Sequence, residues 1–318
     1  LRQEREAAPN IRRFDTQEYE VAALQNDRAA STFRDYADLN FRYLKATGLI
    51  HGSGRGISIV PEKHLLAVQL VGQSFQPMSD EQYLRQLCSG ASLPTDNAES
   101  ATALLDELLT SARTRGIDFQ VSGRALDSAA DIAAVRYELE ELIAEDKETS
   151  YAAEQAGAIE EILTYMRLIT QRGGSAHLAD GTTISVPKSE VPAYFEWVLW
   201  RAFLAIDSLV NKPYEARRFK VDQDFLPIGC APGGGPDLIF EFDEFVLVVE
   251  VTMTESSRQE AAEGEPVRRH VADILQEHEH QKGGKPVYGL FLANRIDSNT
   301  AETFRIGVWY FSDDSRTQ

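Results

Sequence analysis

Apolar residues in the middle of the chain recur at the three- and four-residue spacing of amphipathic helices. The sets are Ala101, Leu104, Leu105, Leu108 and Leu109; Ile132, Val135, Leu139, Leu142 and Ile143; and Ile159, Ile162, Leu163, Met166 and Ile169. This period favours helices that bury one face, and the acidic residues between these positions are expected to form solvated helix faces. We therefore predict an acidic helical segment over residues 96–172, followed by a linker at Arg172-Gly173-Gly174-Ser175.

The region before this segment predicts a different supersecondary unit. A helix that ends near Gly48 is followed by a glycine-rich turn, residues 52–56, between two short apolar runs, which is typical of a β-hairpin. A further helix from Pro61 completes the element order of a winged helix, with Arg55 at the wing tip near phosphate. Because residues 1–95 carry no net charge, a linker or protein–protein module of the same shape is the alternative interpretation.

Strand patterns and helices alternate from residue 182 onward. The predicted elements are a strand at 182–186, a helix at 192–210, short strands at 218–221 and 225–228, a hairpin of strands 238–242 and 245–253 that turns at Asp243-Glu244, a helix at 267–282, and strands at 287–293 and 305–311. This mixture predicts an α/β fold. We expect a mixed-sheet domain at 173–318, preceded by a mainly helical domain with a winged-helix-like unit.

Composition excludes several classes of protein. The 318 residues are 43% hydrophobic and 26% charged, which is ordinary for a globular chain. They contain no apolar run long enough for a membrane span. The two cysteines, Cys88 and Cys230, lie far apart in the sequence, so we expect reduced thiols and a prokaryotic cytoplasmic location. The chain begins with Leu and an unremarkable charged segment, so we expect no signal peptide and expect a DNA-recognition region upstream.

The net charge of −18 argues against strong non-specific binding to nucleic acid. The charge is uneven, however. Residues 96–163 carry 5 basic and 16 acidic residues, a net charge of −11, and residues 236–318 carry 8 and 16, a net charge of −8. The first block fits solvated helices, whereas the second block coincides with the predicted strands and needs a chemical explanation.

A pair of carboxylates on the predicted hairpin supplies that explanation. Strand periodicity places Glu250 on one face with Val246 and Val248, within a strand that is apolar on both faces. A buried carboxylate is costly unless it is paired or bound to a metal. Counting back from the turn brings Asp237 close to Glu250 at the open end of the hairpin. Oxygen ligands without a neighbouring Cys or His cluster favour Mg²⁺, although a surface hairpin with scattered acids is the alternative.

The residues around this pair resemble a known family. Pro236-Asp237 opening one strand, with an acid on the next strand, resembles the core of PD-(D/E)XK nucleases. A longer match is formed by Ala231-Pro232-Gly233-Gly234, Asp237, Glu250-Val251-Thr252 and Arg258-Gln259-Glu260-Ala261-Ala262-Glu263-Gly264-Glu265-Pro266-Val267-Arg268-Arg269-His270. It resembles the AlwI-type branch of type IIS restriction and nicking endonucleases, most clearly over residues 185–312. The preceding helical region is similar to that family's linker region.

The resemblance implies a site and a cofactor. Asp237 and Glu250 would hold Mg²⁺, which Mn²⁺ can replace, with the Val251 carbonyl as a further ligand. Glu196 would reach the ion through water, and Glu263 would match a further acid of the family's site. The implied substrate is double-stranded DNA, and a second nuclease subunit or a transient dimer would cut the other strand.

One position departs from the general nuclease motif. Thr252 stands where most such nucleases carry a lysine that stabilises charge in the transition state, and the candidates for that task are Gln259, Arg258 and His270. The basic residues expected to contact DNA phosphates are Arg217, Arg218, Lys220, Arg258, Arg268, Arg269 and Arg55. The missing lysine and the net charge support an alternative hypothesis, in which the chain is an inactive DNA-binding or regulatory module or a partner subunit.

Overall fold

The computed structural model describes residues 2–25, 29–53, 56–71, 78–89, 97–206, 208–255, 258–281 and 284–306. It divides the chain into two compact units, Leu1–Val60 and Pro61–Gln318. This division differs from the predicted boundaries near residues 95 and 172. Ion pairs account for part of the difference, because Glu62 contacts Arg115 at 3.3 Å and Lys147 at 3.0 Å and so ties the segment after Pro61 to the acidic helices.

The first unit contains three helices and a hairpin. The helices are α1 (Arg2–Ala7), α2 (Ile11–Gln25) and α3 (Ala29–Ala46), and the hairpin strands are β1 (Ile50–Ser53) and β2 (Gly56–Ile59). Gly48, with a φ of 68°, ends α3 in the left-handed conformation that glycine adopts at low cost. The predicted helix–hairpin order is present, but the next helix belongs to the second unit, and the winged-helix interpretation stays a prediction. Arg55 lies outside the described residues.

The second unit begins with α4 (His64–Val71) and α5 (Asp80–Ser89). The helices predicted over residues 96–172 follow as α6 (Ala98–Thr114), α7 (Ala129–Glu154) and α8 (Ile159–Thr170). Helices α6 and α7 share a core formed by Ala101, Leu105, Leu108, Ala112, Ile132, Val135, Leu139 and Ile143. Three predicted core positions, Leu142, Ile159 and Leu163, are exposed. On α8 the buried face instead carries Tyr165 and Leu168, which belong to the core of the following α/β part.

That α/β part is built on a three-stranded mixed sheet. It contains β3 (Gly174–His177), β4 (Thr183–Val186), α9 (Val191–Leu204), α10 (Pro213–Ala216), β5 (Leu238–Glu241), β6 (Val246–Thr252), α11 (Glu265–Gln281), β7 (Val287–Ala293) and α12 (Ser298–Ile306). Strand β6 is central, antiparallel to β5 and parallel to β7, and a π-helical turn at Glu260–Gly264 leads into α11. The mixed sheet agrees with the prediction.

Helix α9 supplies the large side chains of the core against this sheet. Trp197 and Trp200 are almost completely buried together with Phe219, Phe240 and Val249. Each indole N–H is satisfied, since Trp197 donates to the Phe225 carbonyl and Trp200 donates to the Pro213 carbonyl. Buried indoles require such partners, and these bonds join α10 and the loop at Phe225 to α9.

Several predicted boundaries differ from the structure. Helix α9 ends at Leu204, six residues before the predicted end at 210. The segments 218–221 and 225–228 form only isolated bridges, Arg217 to Leu238 and Val221 to Pro227. Residues 305 and 306 end helix α12, so the predicted strand at 305–311 is wrong there, and the rest of that segment lies outside the described residues. None of the described helices is long and apolar enough to cross a membrane.

A buried ion pair joins α7 to the segment before the sheet. Arg217 donates from Nε and Nη2 to the two carboxylate oxygens of Glu148, at 2.6 Å each, and Glu148 is only 4% exposed.

We expect Glu148→Gln or Arg217→Met to lower the free energy of unfolding by about 3–5 kcal/mol, because each leaves an uncompensated buried charge. Urea denaturation measures the loss. Glu141→Gln, at an exposed position of the same helix, is the control.

The double variant Glu148→Gln/Arg217→Met should lose less stability than the two single losses added together, since it leaves no unpaired charge. Strictly additive losses would contradict a direct pairing.

Candidate active site at the open end of the β-hairpin

The hairpin register brings the two predicted carboxylates together. Leu238 pairs with Val249, so the preceding residue, Asp237, lies opposite Glu250. Asp237 also accepts a hydrogen bond through Oδ2 from the main-chain N–H of Val251, at 2.8 Å. The two acids therefore occupy the same end of the hairpin, and the main chain of β6 fixes the orientation of one of them.

The same alternation explains why Glu250 is buried. Val246 and Val248, on its face of β6, are inaccessible to solvent, and Glu250 itself is 9% exposed. Thr252, the last residue on this face, is also buried. The apolar strand β6 therefore places its acidic residue, Glu250, in the interior, where water solvates a charge poorly.

Burial and mutual repulsion disfavour ionisation of this pair. Burial, followed by the charges of Asp237 and Glu263, raises the pKa of Glu250 to about 8. Burial also raises the pKa of Asp237, while the Val251 N–H opposes that rise by bonding the charged form. Several acids therefore compete for negative charge in one small volume, and a cation placed between them would relieve the competition.

Glu196 reaches this region from helix α9. Its Oε2 accepts a hydrogen bond from the Ala231 N–H at 2.7 Å, and the helix lies against β5 and β6. Burial and then the charge of Asp237 raise the pKa of Glu196 to about 7, while hydrogen bonds from Ala231 and the Cys230 thiol oppose that rise. The structure therefore brings Glu196 into the electrostatic neighbourhood of the hairpin pair.

Two further predicted residues contact the pair or its neighbours. His270 on α11 lies with Nδ1 at 2.5 Å from Oε1 of Glu250, and the Thr252 hydroxyl donates to Glu263 at 2.7 Å. Burial, and then the charge of Arg269, lower the pKa of His270, so its neutral imidazole is favoured. The Nε2 atom of His270 is buried without a hydrogen-bond partner among the described residues.

The donor set fits a hard divalent cation. Among the residues that the structure describes, no group of three or more His, Cys, Asp and Glu side chains could hold a metal ion. The half-buried Asp237 and the buried Glu250 nevertheless offer carboxylate oxygens that repel each other, a combination that Mg²⁺ or Mn²⁺ would neutralise. An ion held by these two side chains would take its remaining ligands from a main-chain carbonyl and water.

Gln259 occupies a structural position. Its side-chain amide donates to the carbonyls of Thr254 and Arg295, and its Oε1 accepts from the Asp297 N–H at 2.8 Å. It is inaccessible to solvent, and both of its amide hydrogens bond main-chain carbonyls. We therefore infer a structural role for Gln259, in contrast to the catalytic role expected from the sequence.

The predicted DNA-contacting arginines differ in their surroundings. Arg217 forms an ion pair with Glu148. We therefore infer a structural role for Arg217 rather than contact with DNA. Arg268 contacts Glu260 at 3.1 Å and lies over the Phe304 ring. Arg258, Arg269 and Lys220 are exposed, and the guanidinium of Arg218 donates to the Pro236 carbonyl at 3.2 Å.

Sequence patterns did not identify the contacts of Glu196 with the loop before β5. The main chain of Ala231 lies 35 residues away along the chain, and the Cys230 thiol precedes it. The available signal was the glycine- and proline-rich composition of that loop. Glycine has no side chain, so its main chain can approach a neighbouring element closely.

Comparison with known proteins places the chain among restriction endonucleases. It belongs to the AlwI restriction endonuclease family, which it matches over residues 1–318. No curated protein matches the chain. Among solved structures, the small subunit (R.BspD6I2) of the heterodimeric restriction endonuclease R.BspD6I is 32% identical, with a TM-score of 0.31. That match covers 39% of this chain and 60% of the subunit, which is less than two thirds of its length.

The raised pKa of Glu250 predicts a pH-dependent stability without divalent cations. Because the folded chain binds this proton more tightly than the unfolded chain, the contribution of Glu250 to stability is fully present below about pH 4.5 and is lost as the pH rises towards 8. Glu250→Gln keeps the neutral shape, so we expect it to match the wild type near pH 5. At pH 8 it should be more stable by about 1–3 kcal/mol. Thermal unfolding in EDTA measures this difference.

Glu244→Gln, in the exposed turn of the same hairpin, is the matched control and should show no such trend. An equal stability difference for Glu250→Gln at both pH values would show that the carboxyl is not strained by ionisation.

Proposed function

We propose that this chain is a Mg²⁺-dependent DNA endonuclease of type IIS kind, which hydrolyses phosphodiester bonds near a recognition site and accepts Mn²⁺ in place of Mg²⁺. The observation that carries the proposal is the pair formed by the half-buried Asp237 and the buried Glu250 at the open end of an apolar hairpin. Membership of the AlwI restriction endonuclease family supports a DNA substrate. The mixed sheet with α9 packed against it is compatible with a PD-(D/E)XK core.

In this proposal the carboxylates of Asp237 and Glu250, with the Val251 carbonyl, hold the cation, and Glu196 contacts it through water. The bound cation would neutralise phosphate charge and favour ionisation of water. The attacking water loses a proton to the solvent as its oxygen forms a bond to phosphorus, the bond from phosphorus to the 3′ oxygen breaks, and the 3′ oxygen takes up a proton from the solvent.

The remaining residues of the site position these ligands. His270 fixes one oxygen of Glu250 through its 2.5 Å contact, and Thr252 fixes Glu263 through its hydroxyl. Thr252 carries no charge, so it does not replace the motif lysine in the transition state. Its hydrogen bond to Glu263 indicates a supporting role for the threonine.

The acidic character of the domain agrees with a DNA substrate when the cation is included. Clustered carboxylates make the site negative, and bound cations convert it into a surface that tolerates phosphate. The exposed arginines Arg258 and Arg269, with Arg268 beside them, would contact the DNA backbone around the cut. These contacts position the duplex and carry no sequence information.

The carboxylate pair gives the direct test of this function. We expect Asp237→Asn and Glu250→Gln each to reduce cleavage of DNA in Mg²⁺ or Mn²⁺ by at least about 10³-fold, because each removes a ligand charge. Calorimetry should show loss of Mn²⁺ binding by the same variants. Asp243→Asn, in the exposed turn at the other end of the hairpin, should retain both properties.

Cleavage retained by both variants would refute the assignment. Specific DNA binding without any cleavage by the wild-type chain in Mn²⁺ would favour the alternative of a regulatory or partner module.

A single carboxylate pair also limits how the duplex is cut. One site hydrolyses one phosphodiester, so cutting the second strand requires another site, supplied by a second nuclease subunit or a transient dimer. We expect the isolated chain to convert supercoiled plasmid to the open-circular form first, with linear DNA appearing later and increasingly at higher protein concentration. Gel analysis of a time course checks this order, and simultaneous appearance of linear product at limiting protein would contradict it.

A further inference from the structure

The side chains of two consecutive arginines before the sheet point in opposite directions. Arg217 is in an extended conformation, with φ −115° and ψ 149°, and it bridges Leu238 in antiparallel fashion. Successive side chains of extended backbone point to opposite sides. Because Arg217 is directed towards Glu148, Arg218 is directed to the other side, and the antiparallel bridge places it across from Asp237.

Glycine at position 235 accommodates the Arg218 side chain. A Cβ at Gly235 would lie 2.3 Å from Nη1 and 2.8 Å from Cζ of Arg218, both shorter than any real contact. Nη1 also donates to the Pro236 carbonyl at 3.2 Å. The guanidinium therefore packs against the main chain immediately before Asp237. This close approach gives a physical reason for glycine at this position.

The charge of Arg218 is available to the site. Among the described residues no carboxylate lies within ion-pair distance of this guanidinium, in contrast to Arg217, which Glu148 neutralises. The charge nevertheless acts on the site: burial raises the pKa of Asp237 and the Arg218 charge opposes that rise, whereas burial lowers the pKa of His270 and the Arg218 charge adds to that lowering. An arginine remains protonated at any working pH, so this positive charge is permanent.

We propose that Arg218 supplies the positive charge at the scissile phosphate that a lysine supplies in nucleases where this chain has Thr252. The inference rests on the proposed function and assigns one group within it. The motif lysine would extend from the end of β6, whereas Arg218 approaches Asp237 from the preceding extended segment. A fixed cation beside the phosphate stabilises the charge that develops as the attacking oxygen adds. Arg218 is then a catalytic residue rather than a general contact to the DNA backbone.

The test separates transition-state stabilisation from DNA binding. Single-turnover cleavage at saturating DNA in Mg²⁺ should fall by about 10²–10³-fold in Arg218→Met. The DNA Kd, measured in Ca²⁺, should change less than about threefold. Arg218→Lys keeps the charge and should lose less activity than Arg218→Met. Arg113→Met removes an exposed arginine on α6 and is the matched control, with both quantities unchanged.

Two further measurements exclude a merely structural role. Methylguanidinium added to Arg218→Ala should restore part of the cleavage rate, which a folding defect would not allow. Gly235→Ala should displace the guanidinium and lower the cleavage rate at least tenfold, with the circular dichroism spectrum and the DNA Kd unchanged. Absence of both effects would overturn the proposal even if Arg218→Met failed to fold.

The outcomes also distinguish this inference from the proposed function. If the wild-type chain cleaves DNA and Arg218→Met cleaves it at the same rate, the role of Arg218 is wrong and the nuclease assignment stands. A Kd that weakens in proportion to the rate would reduce Arg218 to a phosphate contact and equally overturn the proposal. If the wild-type chain does not cleave in Mg²⁺ or Mn²⁺, both conclusions fail together.

Discussion

Repulsion between two acidic side chains that an apolar hairpin sets opposite each other, one buried and one half-buried, is the interaction on which the site depends. The strand that contains Val246 and Val248 is buried, and its period places Glu250 on the same inaccessible face. The antiparallel register then sets Asp237 beside it. Folding energy from the apolar residues thus enforces an electrostatic arrangement that these acids would not adopt by themselves. A cation bound by the pair, as proposed, would convert that strain into binding energy.

The surrounding elements are arranged so that this strain does not open the hairpin. Helix α9 buries Trp197 and Trp200 against the sheet and is tied to the neighbouring loops through both indoles. In the segment before the sheet, Arg217 forms two hydrogen bonds with Glu148 of the acidic helical segment. That segment therefore contributes a buried ion-pair partner, Glu148, to the α/β part, although its sequence pattern suggested only solvated acidic faces. The same ion pair sets the direction of the next side chain, Arg218.

Local patterns predicted much of this arrangement, because the relevant physics is local. The alternation of β6, the turn at Asp243-Glu244 and the chain count from that turn together predicted that Asp237 and Glu250 meet. Helical periodicity likewise predicted α6 and α7, whose described cores contain most of the expected residues. A two-residue strand period and a 3.6-residue helix period express themselves in the sequence without knowledge of distant partners.

The partners of polar side chains were not predictable in this way. Arg217 and Arg218 are adjacent, identical and near the site in sequence, yet one meets a glutamate 69 residues away and the other a glycine. Gln259 lies in the family-like run, but its amide bonds the main chain 36 and 38 residues further on. Such contacts depend on which elements the fold brings together, and no periodicity in the sequence encodes them.

Charge placement links the site to the unusual composition of the chain. If the acidic domain cuts DNA as proposed, it needs its positive charge concentrated where the phosphate reacts rather than spread over the surface. Pairing achieves this concentration: Glu148 and Glu260 engage Arg217 and Arg268, whereas the guanidinium of Arg218 packs beside the carboxylate pair without an ion-pair partner among the described residues. The overall charge of −18 then disfavours non-specific adhesion to DNA while the site itself holds a fixed cation beside a carboxylate pair suited to Mg²⁺. In the proposed nuclease, Arg218 would then place one positive charge at the reacting phosphate, within a site that its carboxylates otherwise make negative.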